Sequence, residues 1–218
     1  MTGTRLAPLL TAGALVMCAA MLGAQARPKA PLFPPQDLGL LESPDRDQWN
    51  KPDQIMDALG IADGSVVAEL GAGGGWFTVH LARRVGPNGL VYAEDIQPQM
   101  IEYIGRRVQR EGLANVRTVL GTAQDPRLPA GIDVVLIMDV YQEIEDPVTL
   151  LRNVERSLRP QGRIGIVNFI KGGGGPGPAP DERVDPDVVI RTAASAGLQL
   201  TSREVVQPFL YLLVFGKP

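Results

Sequence analysis

The stretch Val67-Ala68-Glu69-Leu70-Gly71-Ala72-Gly73-Gly74-Gly75 decides how this chain folds. Val66 to Leu70 is a short apolar strand, a glycine-rich turn follows at 71–75, and helical patterning then runs through about Val85. Glycine has no Cβ, so such a turn can bend tightly and let a ligand approach the backbone. The Gly-x-Gly-x-x-Gly pattern of dinucleotide sites is not met, because the sixth residue from Gly71 is Trp76 and from Gly73 is Thr78. The turn reads Gly-x-Gly-x-Gly, with Glu69 two residues ahead of it. A carboxylate there repels phosphate and suits a ligand that carries positive charge.

The next strand, Leu90 to Ile96, contains a second acid, Asp95. It stands 22 residues beyond Gly73, about the spacing at which an acid accepts both hydroxyls of a ribose. Together the two acids call for a nucleoside ligand without a diphosphate, and S-adenosylmethionine meets both conditions. Further along, the chain alternates. A helix over Pro98 to Gly112 leads to a strand at Val116 to Leu120, and Ile132 to Met138 is a continuous apolar run of the kind buried on both faces. A helix at 146–158, a turn at Pro160-Gln161-Gly162 and a strand from Arg163 to Ile170 follow. The chain closes with a helix from Asp185 to Ala196 and two strands, Leu198 to Val206 and Phe209 to Phe215, joined too tightly for a parallel crossover. The pattern predicts an α/β, doubly wound, mostly parallel sheet with an antiparallel C-terminal strand pair, in a single domain.

In this order and spacing the motifs resemble those of class I S-adenosylmethionine-dependent methyltransferases, from about Trp49 to the C-terminus. Glu69 to Gly75 is similar to the family's first motif, and Asp95 matches its ribose-binding acid. Gly121-Thr122-Ala123-Gln124-Asp125 matches the region that contacts adenine, and Leu158-Arg159-Pro160-Gln161-Gly162-Arg163 resembles the Leu-x-Pro-Gly-Gly turn, with Gln161 in place of the first glycine. The resemblance implies a seven-stranded Rossmann-like sheet, S-adenosylmethionine as cofactor, and Glu69, Gly71, Ala72, Gly73, Gly75, Asp95, Ile96, Thr122 and Ala123 as its contacts. It also turns the loop after the fourth strand toward the methyl group, making Asp139, Tyr141 and Glu143 the catalytic candidates, with Gln142 beside them. The sulfonium is already an activated methyl donor, so catalysis is mainly a matter of near-attack geometry, with a base needed only if the acceptor has a proton to lose. The Asn/Asp-Pro-Pro-aromatic motif of many amine- and base-modifying members is absent, which favours a small-molecule acceptor over nucleic acid or protein. Asp139 and Asn168 alone make a thin case for a metal, and no metal site is expected. The alternative function is a nucleoside-binding or vestigial domain that keeps the fold without turnover.

Several other residues read as structural. His80 is a satisfied helix residue, Trp76 is core packing, and Arg106, Arg107 and Arg110 form a solvated helix face. Trp49 is either a pocket wall or packing. Gly172 to Pro180 is either a slack linker or a mobile flap beyond a strand end.

Composition fixes the class. Of 218 residues, 25 are Gly and 19 are Pro, a rich but not low-complexity share, and 44% hydrophobic with 21% charged residues is globular rather than disordered. A net charge of −3 gives no basic footprint for nucleic acid. One Cys and one His exclude a disulfide framework and a Cys- or His-rich metal site. Leu6 to Ala26 carries no charge and ends in Ala24-Gln25-Ala26, so residues 1–26 read as a secretory signal peptide that exports the chain. An uncleaved membrane anchor is the competing reading. Met17 before Cys18 argues against lipidation, and cleavage would leave 192 residues with no cysteine. Residues 27–48 form a Pro-rich leader and 49–218 the domain. N-terminal sequencing of the exported protein is expected to begin at Arg27; a Met1 start would sink the cleaved-signal reading.

Overall fold

Ile132-Asp133-Val134-Val135-Leu136-Ile137-Met138 has one polar position in seven, so a strand built from it needs cover on both faces. In the computed structural model, which describes residue 1 and residues 31–218, this segment lies in the middle of a seven-stranded sheet. The strands are β1 Val66–Leu70, β2 Leu90–Asp95, β3 Val116–Leu120, β4 Ile132–Met138, β5 Leu158–Phe169, β6 Gln199–Val206 and β7 Leu210–Gly216. Their order is β3-β2-β1-β4-β5-β7-β6, parallel from β3 to β5, with β7 antiparallel to both of its neighbours. This is the doubly wound, mostly parallel α/β sheet that the sequence predicts, with the expected antiparallel C-terminal pair. Apart from Met1, the segment read as a signal peptide lies outside the described residues.

Helices α2 Pro52–Ala58, α3 Trp76–Val85 and α4 Pro98–Arg110 contribute to one core, with Val67, Val134, Leu136 and Val167 from the sheet. Helices α5 Pro147–Ser157 and α6 Pro186–Ser195 build the other, over Ala68, Val135, Ile137, Ile164 and Ile166. Alternate residues of β1 and of the centre of β4 serve opposite layers, as the two-residue period of a strand requires. Local chemistry starts the helices. Proline stands at the first helical position of α2, α4, α5 and α6, where its missing N–H costs nothing. The Asp146 carboxylate accepts from Thr149 N at 3.1 Å and that of Asp185 from Asp187 N at 2.8 Å, capping α5 and α6.

Three expectations change. The fifth strand begins at Leu158, five residues early, because Pro160-Gln161-Gly162 is a bulge within it; pairing jumps from Ile132–Leu158 to Val134–Arg163. The Pro-rich leader holds two short helices, a 3-10 helix at Pro35–Leu41 and α1 at Arg46–Asn50. Buried Leu38 packs against Gly74, so the folded unit begins well before Trp49. Finally, the glycine-proline segment 172–180 is tethered. Arg183, 6% exposed, donates to the carbonyls of Ile170, Gly174, Pro176 and Pro178 at 2.8–3.1 Å. Gly175 and Gly177 lie against the rings of Phe209 and Phe169, which a Cβ would strike at 2.5 Å.

Loss of Arg183 strands the carbonyls of Gly174, Pro176 and Pro178, which have no other partner among the described residues, while Ile170 O keeps Gly173 N at 3.0 Å. Arg183→Ala is expected to destabilise the chain by about 2–3 kcal/mol, since a buried charged donor is worth more than a neutral one. Amide exchange should rise across 172–180 while β4 stays protected; an unchanged exchange pattern would contradict the tether.

Candidate active site

The chain leaves β1 toward one edge of the sheet and β4 toward the other, which opens a crevice beyond the strand ends. A cavity of about 890 Å³ occupies it. Its floor is the turn after β1. Gly71 has φ +66°, and a Cβ there would lie 2.7 Å from both methyls of Val140, so glycine is required for two reasons. Glu69, Gly71, Ala72, Gly73, Asp95, Ile96, Thr122 and Ala123 all line the cavity, bringing these expected contacts together. Gly75 does not line it. Its φ of +76° serves the turn into α3, where it packs on Ile104 and Arg107, and Gly74 takes its place in the wall.

Glu69 is 4% exposed, and the Thr78 hydroxyl donates to its carboxylate at 2.5 Å. Burial pushes it up to about 7, against the pull of Thr78 and Arg46. Asp95 is held at both oxygens, by Gly73 N at 3.0 Å and Gln97 N at 2.9 Å. Burial raises it despite those two bonds. Glu94 sits against Gly121, where a Cβ would fall 1.9 Å from its oxygen. Burial, with Asp95 adding, pushes Glu94 up to about 8.

After β4, Asp139 adopts a left-handed φ of +55°, which an Asp tolerates better than most residues. Burial carries it up to about 7, with Arg46 opposing and Glu143 adding. Glu143 is likewise raised to about 7 by burial, and its Oε2 accepts from Phe33 N at 3.1 Å. Both acids line the cavity, as does Gln142. Tyr141, the third catalytic candidate, does not: it is fully buried in the core beside α5 and is not a wall of the cavity. A 3-10 turn at Tyr141–Glu143 points neighbouring side chains in different directions. Asn168 also faces the second core, donating to the Tyr211 hydroxyl at 3.2 Å.

Sequence reasoning missed the leader's contribution. Arg46 lines the cavity with its guanidinium 4.1 Å over the Trp76 ring and Nη1 donating to Leu41 O at 2.7 Å; Asp139 and Glu69 are its main charge partners. Asn50, one turn along α1, is 1% exposed and also lines the cavity. Arg46 Nε and Asn50 Oδ1 are buried without a hydrogen-bond partner among the described residues. The four-residue spacing that puts both on one helix face was the available signal. Trp49 is both wall and packing, 5.9 Å from the Phe169 ring. Trp76 packs on the first core and lines the cavity as well. Arg107 is not solvated; it pairs with Glu42 and pins the leader to α4. His80 pairs with Asp47 at 3.5 Å.

Glu94 makes the largest contribution to the pH dependence of stability, with Glu69, Asp139 and Glu143 acting in the same direction. Between its ordinary 4.5 and about 8, the folded chain keeps a proton that the unfolded chain has lost. Stability therefore falls as pH rises through that window and levels off above it. Glu94→Gln should flatten this slope and raise Tm at pH 8.5 by at least about 2 °C, with no gain at pH 4.5. Equal Tm shifts at both values in a thermal scan would refute the assignment.

Residues 67–162 match the model of a methyltransferase domain. Among curated proteins, the chain is 32% identical over 131 residues to the nocamycin O-methyltransferase of Saccharothrix syringae, covering 60% of this chain and 44% of that protein. It is 31% identical over 118 residues to the ubiquinone/menaquinone biosynthesis C-methyltransferase of Pasteurella multocida, covering 53% and 44%. The chain thus spans less than half the length of these curated relatives. The crystal structure of a SAM-dependent methyltransferase from Aquifex aeolicus superposes with a TM-score of 0.80, over 84% of this chain and 98% of that one, at 25% identity.

Proposed function

We propose that this chain, whose domain belongs to the class I S-adenosylmethionine-dependent methyltransferase family, binds S-adenosylmethionine beyond the ends of β1 and β2 and transfers its methyl group to a small acceptor. The observation that carries the reading is the donor set of one cavity. Glu69 offers a carboxylate to an ammonium, Arg46 holds a buried Nε without a partner for a carboxylate, and Asp95 offers lone pairs to a ribose diol. These three charges match the amino-acid and ribose parts of the cofactor one for one. Ile96, Met100, Thr122 and Ala123 form a mostly apolar wall suited to adenine.

When bound, the cofactor supplies a sulfonium-activated methyl group. The chain's part is to hold the acceptor in line with it, where orientation alone can be worth roughly 7–11 kcal/mol. Gly73 N and Gln97 N fix the Asp95 carboxylate before any ligand arrives, so little ordering remains to be done on binding. Phe33 strengthens the closure: its N–H reaches Glu143 and its carbonyl accepts from Gln97 Nε2 at 3.0 Å, a strap joining the two sides of the cavity. The glycine turn, Glu69 and Asp95 are intact, and nothing in the site favours a domain kept without turnover. The uncharged run at 6–26 supports export, in which case the cofactor must reach the enzyme from outside the cytosol.

Isothermal calorimetry of residues 27–218 with S-adenosylmethionine tests the reading. Asp95→Ala should weaken binding by about 1–3 kcal/mol through lost hydrogen bonds to a charged acceptor. No heat at millimolar ligand would overturn the cofactor assignment, and unchanged affinity in the variant would overturn the ribose role.

A further inference from the structure

The cavity continues past the cofactor-binding end beneath the leader, where Phe33, Leu41, Trp49, Val140, Ile144 and Phe209 give it apolar walls. The polar groups set in those walls are nearly all acceptors. Asn50 Oδ1 is buried without a partner among the described residues, and a buried amide oxygen left unpaired is costly unless a ligand satisfies it. Glu143 has engaged one of its roughly four lone-pair sites, with Phe33 N. Asp139 receives only a long contact from Gln142 Nε2, at 3.4 Å. Of the nearby donors, Gln142 Nε2 is taken by the Asp139 carbonyl at 2.8 Å and Arg46 Nη1 by Leu41 O, and Arg46 Nε is assigned above to the cofactor's carboxylate. Among the described residues of the lining, nine side chains are acidic and one, Arg46, is basic, which disfavours a phosphate or carboxylate on the acceptor.

We propose that the acceptor is an apolar molecule ending in an aliphatic ammonium group, read by Asn50 Oδ1 and the Asp139 and Glu143 carboxylates. This rests on the cofactor reading above. An ammonium brings three donors and no acceptor, the complement of these groups. An aliphatic ammonium must first lose a proton to gain a lone pair. Glu143 takes that proton. The freed nitrogen pair then forms the N–C bond as the C–S bond breaks, its electrons stay on sulfur as a neutral thioether, and the product leaves as a methylated ammonium. Glu143 afterwards releases its proton to solvent. A carboxylate raised toward neutrality is a better match for an amine than an ordinary one.

Both tryptophans of the chain, Trp49 and Trp76, line the cavity, so intrinsic fluorescence reports occupancy directly. With the 27–218 protein holding S-adenosylhomocysteine, phenethylamine, 2-phenylethanol and 3-phenylpropionate are titrated in parallel. The amine should bind at least tenfold more tightly than either neutral or anionic isostere, and Asn50→Leu should erase most of that preference. Asn50→Asp should keep it, and both variants should bind S-adenosylmethionine within twofold of the parent. In turnover with radiolabelled methyl donor, label should enter phenethylamine at a rate that rises with pH through about 7. An alcohol or acid that binds as tightly as the amine overturns the proposal, as does an Asn50→Leu variant with unaltered selectivity. Failure to bind S-adenosylmethionine at all would instead fell the cofactor reading, whatever the ranking of the three probes.

Discussion

At the heart of the molecule, Gly71 lies against Val140 so closely that a single added carbon would sit 2.7 Å from the valine methyls. That contact joins the end of β1 to the loop after β4, the point where the sheet's connections diverge to opposite edges. Everything that makes the site depends on it. The glycine turn also aims Gly73 N at Asp95, so the same backbone bend that admits the strand end also fixes the acid at the end of β2.

The resulting pocket concentrates charge against the usual preference of a protein interior. Glu69, Glu94, Asp139 and Glu143 are all raised toward or past neutrality by burial. Desolvating carboxylates in this way costs stability, and native chains carry such groups where a ligand or a reaction uses them. The leader supplies the counterweight. Arg46, laid over Trp76 and anchored to Leu41 O, is the one basic side chain in the lining among the described residues, and it arrives on a five-residue helix that its own sequence could not stabilise alone. Contacts with α3, α4 and the glycine turn hold that helix and the segment before it: His80 with Asp47, Arg107 with Glu42, and Leu38 on Gly74. The Arg183 tether closes the opposite wall with Pro176 to Pro178.

Much of this architecture is legible in the residues. Strand β4 follows from an apolar run, the helix starts from proline and aspartate, and the reversal of β6 and β7 from the shortness of their connection. Glu69 and Asp95 are legible because each stands at a fixed interval from a glycine turn. The departures share a cause. Gly75 and Tyr141 lie inside the right motifs, yet a one-residue step in a turn or a 3-10 helix swings a side chain from cavity to core. Arg107 and Arg183 resemble ordinary surface arginines until the carboxylate or carbonyls they meet come from another part of the chain.

The sequence by itself determined the sheet, its order of strands and helices, and the two acids that define the cofactor end, because periodicity, capping and glycine spacing act within a few residues. Only the tertiary structure decided what closes the cavity and which polar groups face into it. Phe33 and Glu143 are 110 residues apart, and the four carbonyls gathered by Arg183 carry no side-chain signature at all. Such pairings are fixed by the packing of segments distant in the chain, and no local pattern encodes them.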